Sequence, residues 1–235
     1  MEVYDRATGY KDVGNINVES LSKSMESITA DFNLRQDQDI LVIGCGKGDE
    51  ARVLQKVTGC KVFAIDPEAH EYSDERLTII KGDASILPWK DDRFDFVLCN
   101  HVLEHVDKPK SVLRELLRVL NKESGQYYMA FPNKRRIVPM YWKSHVKITL
   151  FEIIKFNLRD LKYRMTGNWE NSLGAHAGFS HNDWDYMMSD HDSNYIFDSL
   201  PKSFPFRKYF RNKESRFPVY LIIPTVKIKK VNSKA

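Results

Sequence analysis

Cysteine is scarce in this 235-residue chain: Cys45, Cys60 and Cys99 make an odd number without metal-ligand spacing. That argues against a disulfide framework and against a zinc site, and leaves reduced, buried thiols as the expectation. His176 and His181 are five apart with no cysteine between them, which does not make a zinc pair. No stretch approaches the roughly 18 consecutive apolar residues of a membrane span. The first fourteen residues are polar and lack the apolar core of a signal segment. A cytoplasmic location is the expectation. Internal repeats and low-complexity tracts are also missing.

Charge is present in quantity and unevenly placed. Residues 1–133 carry 17 Lys and Arg against 23 Asp and Glu, a net of −6, whereas residues 134–235 carry 19 against 9, a net of +10. The two halves sum to the chain's +4. An acidic front and a basic back suggest two jobs, with the basic half meeting something anionic. At 42% hydrophobic residues the chain can bury a sizeable core, and one α/β domain with an appendage is the natural expectation.

Apolar patterning supports that class. Strands are predicted at 40–43, 61–65, 77–80, 94–99 and 127–131. Helices are predicted at 18–32, 47–57 and 111–120, the last with Leu113, Leu116, Leu117 and Leu120 at helical spacing. Strands alternating with helices imply βαβ units and a parallel sheet. After Pro132 the character changes. Residues 145–164 read as an amphipathic helix with Val146, Leu150, Ile154, Leu158 and Leu161 on one stripe, accompanied by Lys147, Lys155, Arg159 and Lys162. Such a helix suits a membrane surface or the cover of a substrate site. Ser180, with Asp183 three residues on, reads as the cap of a short helix ending near Asp190. Residues 206–210 and 219–223 are predicted as closing strands.

The most informative stretch is Asp39-Ile40-Leu41-Val42-Ile43-Gly44-Cys45-Gly46-Lys47-Gly48. A buried parallel strand reads as a continuous apolar run, and glycines straight after it mark a backbone turn that a ligand approaches closely. The helix that follows would aim its free N–H groups at whatever lies over the turn. The dinucleotide fingerprint places its third glycine one residue later. Asp66, before Pro67 at the end of the second strand, is placed to accept both hydroxyls of a ribose. Gly82-Asp83-Ala84 follows the third strand, where a carboxylate can accept from an adenine amine. The fourth strand runs into Asn100-His101-Val102-Leu103-Glu104-His105-Val106, a loop of polar and ionisable residues.

In this order the four segments resemble the class I S-adenosylmethionine-dependent methyltransferases, and most nearly their type 11 small-molecule group, which includes the quinone methyltransferases. The resemblance covers roughly residues 37–132. It implies a Rossmann-like, mostly parallel seven-stranded sheet with an antiparallel last strand and helices on both faces. On that frame the single domain divides into an N-terminal cap (1–36), a cofactor core (37–132), a substrate-side insert or lid after the fifth strand (133–180), and a last helix with C-terminal strands (181–235). By resemblance, Gly44, Cys45, Gly46 and Gly48 face the methionine part of S-adenosyl-L-methionine. Asp66 with Pro67 holds the ribose, Asp83 and Ala84 contact the adenine, and Asn100 lies by the methionine amine. The product would be S-adenosyl-L-homocysteine.

Methyl transfer from a sulfonium asks little beyond in-line geometry, and a base is needed only for a protonated acceptor. His101, Glu104 and His105 in the strand-four loop, with histidine the first choice, and His176 in Gly174-Ala175-His176-Ala177-Gly178 are the candidate bases. The basic, aromatic-rich insert admits three readings. It suits an anionic small molecule such as a sugar or glycan precursor, a lipid-linked acceptor at a membrane, or RNA. The small-molecule reading leads, since no RNA-binding module is recognisable. Rival functions are a catalytically silent cofactor-binding partner protein and an NAD-dependent oxidoreductase. The glycine spacing and Gly82-Asp83-Ala84 weigh against the oxidoreductase.

Overall fold

A computed structural model describes residues 18–30, 32–133, 150–166, 178–189, 196–197 and 225–230. In chain order the elements are α1 (Val18–Thr29), β1 (Asp39–Ile43), α2 (Asp49–Thr58), β2 (Lys61–Asp66), β3 (Tyr72–Ser73), β4 (Leu77–Lys81), β5 (Phe96–Asn100), a 3₁₀ turn (Leu103–His105), α3 (Pro109–Val119), β6 (Gln126–Pro132), α4 (Leu150–Thr166), α5 (His181–Met187), β7 (Ile196–Phe197) and β8 (Thr225–Lys230).

One sheet runs β3-β4-β2-β1-β5-β6-β8-β7. Its five central strands, β4 to β6, are parallel, while β3, β8 and β7 add antiparallel margins. Among the described residues the sheet has eight strands, two of them the two-residue edge strands β3 and β7. β8 is the expected antiparallel strand beside the last parallel one, and the helices lie on both faces.

Alternation along the strands sorts side chains between the two layers. From β1, Ile40 and Val42 pack with Leu21 and Met25 of α1 and Leu54 of α2. Leu41 and Ile43 pack on the other face with Leu113 and Leu116 of α3 and Trp184 of α5. Burial on both faces is why β1 is apolar at four successive positions rather than alternating.

One correction of extent has a local cause. β5 begins at Phe96 rather than at 94, because Phe94 makes a separate bridge to Leu120 and the Asp95 carboxylate turns to accept from the Asp39 amide at 2.9 Å. Of the amphipathic helix expected at 145–164, residues 145–149 lie outside the described residues and the rest is helical, running from Leu150 to Thr166. Ser180 caps α5 with Asp183 in a reciprocal capping box, as its sequence suggests. The strands predicted at 206–210 and 219–223 lie outside the described residues.

The insert leaves and rejoins the sheet at one point. Asn133 and Phe179 bridge in parallel, and the Phe179 amide donates to the Pro132 carbonyl at 3.1 Å. Phe179 meets Phe131 edge-on, and Trp184 stacks on Phe131 with centroids 5.6 Å apart. Gly178 has φ +70°, and a Cβ there would collide with the Pro132 carbonyl, so glycine is required for the return.

Candidate active site

Parallel pairing brings the carboxyl ends of β1, β2, β4 and β5 to one edge: Ile43 is level with Ile65 and Cys99, and Asp66 with Lys81. The chain moves outward through β2 on one side of β1 and through β5 on the other. A crevice opens at such a reversal of strand order.

The glycine turn sits in that crevice. Gly44, Gly46 and Gly48 all have positive φ, at 74°, 52° and 95°. The turn is tied to β2 by the Gly44 amide, which donates to the Ile65 carbonyl at 2.9 Å. A Cβ on Gly44 would strike Val102 from the loop after β5, so this position takes no side chain. A Cβ on Gly46 would meet nothing within 4 Å, which leaves the backbone open to a ligand. Gly48 starts α2 without a capping side chain, so the first amides of the helix are left for a ligand or solvent.

Asp66 closes over the turn from β2. Its Oδ2 accepts from the Gly46 amide at 2.9 Å and its Oδ1 from the Glu68 amide at 2.8 Å. Each oxygen keeps a lone pair for a further donor. Pro67 is exposed beside it. Beyond β4, Asp83 is exposed and Ala84 buried. The Ser85 amide donates to Asp83 Oδ1 at 2.7 Å and holds that carboxyl below the usual range, so it is ionised. The loop that follows is braced from α3. Arg118 donates to the carbonyls of Leu87 and Trp89, and Glu115 accepts from the Leu87 amide at 2.8 Å.

At the end of β5 the structure assembles a polar cluster. Asn100 Nδ2 donates to Glu50 Oε1, from the first turn of α2, at 3.0 Å. Burial raises the pKa of Glu50, opposed by the Asn100 hydrogen bond and by nearby His101. His101 has φ +56°, a left-handed conformation uncommon outside glycine. It is held by its amide, which donates to the Ala130 carbonyl at 2.8 Å, and by its Nδ1, 3.0 Å from Glu104 Oε1. Glu104 is 8% exposed, and among the described residues its Oε2 has no hydrogen-bond partner. Backbone strain held at a crevice by buried partners is a hallmark of functional positions.

His105 ends the 3₁₀ turn next to Glu104. His176 lies outside the described residues. The thiols are buried and free. Burial, with the Asp66 charge next, pushes the Cys45 thiol up to about 12, which keeps it neutral and un-nucleophilic.

Glu50 is the residue that sequence reasoning misses. Nothing in Gly48-Asp49-Glu50 announces a partner fifty residues on, and only the β1–β5 pairing creates it. Glu104 is legible in the sequence as a candidate base. Its burial and its grip on His101 come from the 3₁₀ turn.

Residues 41–128 match the family of methyltransferase domains. The chain is 24% identical over 118 residues to the sterol 24-C-methyltransferase erg6 of Schizosaccharomyces pombe, which covers 46% of this chain and 31% of that protein. It is 32% identical over 96 residues to norajmaline N-methyltransferase of Rauvolfia serpentina, covering 36% and 33%. The matched segment thus spans about a third of each of these relatives. Among solved structures, a Methanococcus maripaludis protein proposed to be an S-adenosyl-L-methionine-dependent methyltransferase superposes with a TM-score of 0.56. The identity is 15%, over 100% of this chain and 98% of that one. Residues 41–128 thus match the methyltransferase-domain family, on a fold shared with that Methanococcus maripaludis protein.

Proposed function

We propose that this protein transfers the methyl group of S-adenosyl-L-methionine to a small-molecule acceptor, and that His101 is the base that takes the acceptor's proton. The observation that carries the reading is the gathering of the glycine turn, Asp66, Asp83 and the Glu50–Asn100–His101–Glu104 cluster on one sheet edge.

The residues fit the family's cofactor. The open backbone at Gly46, with Gly44, Cys45 and Gly48 around it, suits the methionine moiety. The lone pairs of Asp66, beside Pro67, suit the two ribose hydroxyls, and ionised Asp83 with Ala84 suits the adenine amine and ring. Asn100, fixed by Glu50, offers its backbone to the methionine amine. When bound, the cofactor supplies an electrophilic methyl on a sulfonium and leaves as a neutral thioether.

What the chain must add is position and, for a protonated acceptor, a base. Glu104 supports His101 in that part. A carboxylate at Nδ1 favours the tautomer whose proton is on Nδ1, so Nε2 is free to accept. The aspartate of a serine-protease triad orients its histidine in the same way. The relatives' names, a C-methyltransferase and an N-methyltransferase, leave the acceptor atom open. The net +10 of residues 134–235 favours an anionic acceptor, a sugar or glycan precursor or a lipid-linked molecule.

Thermal unfolding with S-adenosyl-L-methionine, S-adenosyl-L-homocysteine and NAD in parallel tests the reading. A ligand at about 100 times its dissociation constant adds roughly 2.7 kcal/mol, on the order of 5–10 °C for a chain of this size. Stabilisation by the two sulfur compounds alone is expected. No shift with either, or a shift with NAD, overturns it.

A further inference from the structure

We propose that α4 is an interfacial helix that docks the protein on an anionic membrane surface. Leu150, Phe151, Ile154, Leu158, Leu161 and Met165 are 72%, 76%, 50%, 62%, 49% and 80% exposed. At helical pitch these six positions fall within an arc of about 100°. Isolated exposed apolar residues are ordinary, but six large ones on one face of one helix form a patch that needs a partner. Among the described residues, α4 shares no extensive packing with another helix or strand.

Charge selects the partner. Exposed Lys155 and Lys162 border the arc. The helix's two acidic positions, Glu152 and Asp160, lie more than about 120° from its centre. The basic half of the chain carries this helix, and the acidic half is elsewhere. An apolar face with a lysine edge matches the boundary between acyl chains and anionic headgroups. A second copy fits less well, because pairing two such faces would bring lysine edges together with no carboxylate between them. No described helix is long and apolar enough to cross a membrane, and α4 carries charges on its sides, so it lies on the surface rather than through it.

The location gives this a consequence for the candidate site. The insert that holds α4 departs from and returns to the sheet at Asn133 and Phe179, just past the carboxyl end of β6. That is the sheet edge where Asn100 and the glycine turn lie. Both junctions of the insert with the sheet therefore lie on the edge that carries the candidate site.

The full chain is sedimented with vesicles of phosphatidylcholine alone and with one-third phosphatidylglycerol, at low and high salt. Binding to the anionic vesicles only, weakened by salt, is expected. Ile154→Asp with Leu158→Asp should lower the partition coefficient at least about tenfold, and Lys155→Glu with Lys162→Glu by about tenfold. Circular dichroism of each variant checks its fold. As a probe that leaves the apolar face nearly intact, Leu158→Cys carrying an environment-sensitive dye should shift to the blue on anionic vesicles. No binding by the native chain overturns the proposal, as does full binding by the folded aspartate variant or an unshifted dye. Self-association without vesicles, abolished by the aspartates, would assign the face to a second copy instead. Vesicle binding requires no cofactor, so its failure and a failure of cofactor-induced stabilisation are separate results.

Discussion

Asn100 and Glu50 lie fifty residues apart and share a 3.0 Å hydrogen bond that ties the end of β5 to the first turn of α2. The bond closes the polar floor of the crevice between the two strands flanking the switch in direction. It also holds the half-buried Glu50 carboxyl beside His101.

Burial raises the pKa of Glu50 above its ordinary value. A raised folded-state pKa means that the contribution to stability is fully present below the unfolded value and is lost as pH rises through the folded one. Glu50→Gln should therefore be more stable than the native chain at neutral pH, and this advantage should vanish toward pH values below the ordinary carboxylate range. Denaturation of both proteins across pH measures it. An advantage that grew on acidification would contradict the assignment.

Asp66→Ala should weaken S-adenosyl-L-homocysteine binding by about 1.5–3 kcal/mol, because charge-assisted hydrogen bonds to the ribose are lost. It also releases the Gly46 amide that the carboxylate holds. Calorimetric titration of the folded variant is the check, and native affinity there would remove Asp66 from the site.

His101→Gln should reduce kcat by about 10²–10⁴ for an acceptor that must lose a proton, with cofactor affinity nearly unchanged. Glu104→Gln, which leaves Nδ1 without its carboxylate, should lower kcat more than it alters KM. Native kcat in the folded His101→Gln enzyme would transfer the role to another group.

Gly178→Ala places a Cβ against the Pro132 carbonyl at φ +70°. The variant should lose on the order of 1–3 kcal/mol in urea denaturation, more than an ordinary helix or loop substitution. A neutral outcome would mean that the junction between the insert and β6 relaxes freely.

The parts of the fold that were legible in the sequence are those governed by local rules. Ile40–Ile43 reads as a buried strand because every side chain is apolar, and Gly44, Gly46 and Gly48 read as a turn because only glycine takes positive φ cheaply. The Ser180 cap was visible for the same reason, its partner being three residues away. The stripe along α4 was visible too, but periodicity shows only that one face is apolar. Whether that face is covered depends on what the rest of the chain brings to it.

By itself the sequence determined the order of strands and helices, the glycine turn, the carboxylates at the strand ends and the division into an acidic front and a basic back. Each follows from the residue's own stereochemistry or from neighbours within a few positions. Tertiary structure alone decided that Glu50 meets Asn100, that buried Glu104 steadies a left-handed His101, and that six apolar side chains of α4 are left exposed among the described residues. The physical reason is that hydrogen bonds and burial act through space, and only the packed sheet sets which distant residues share it.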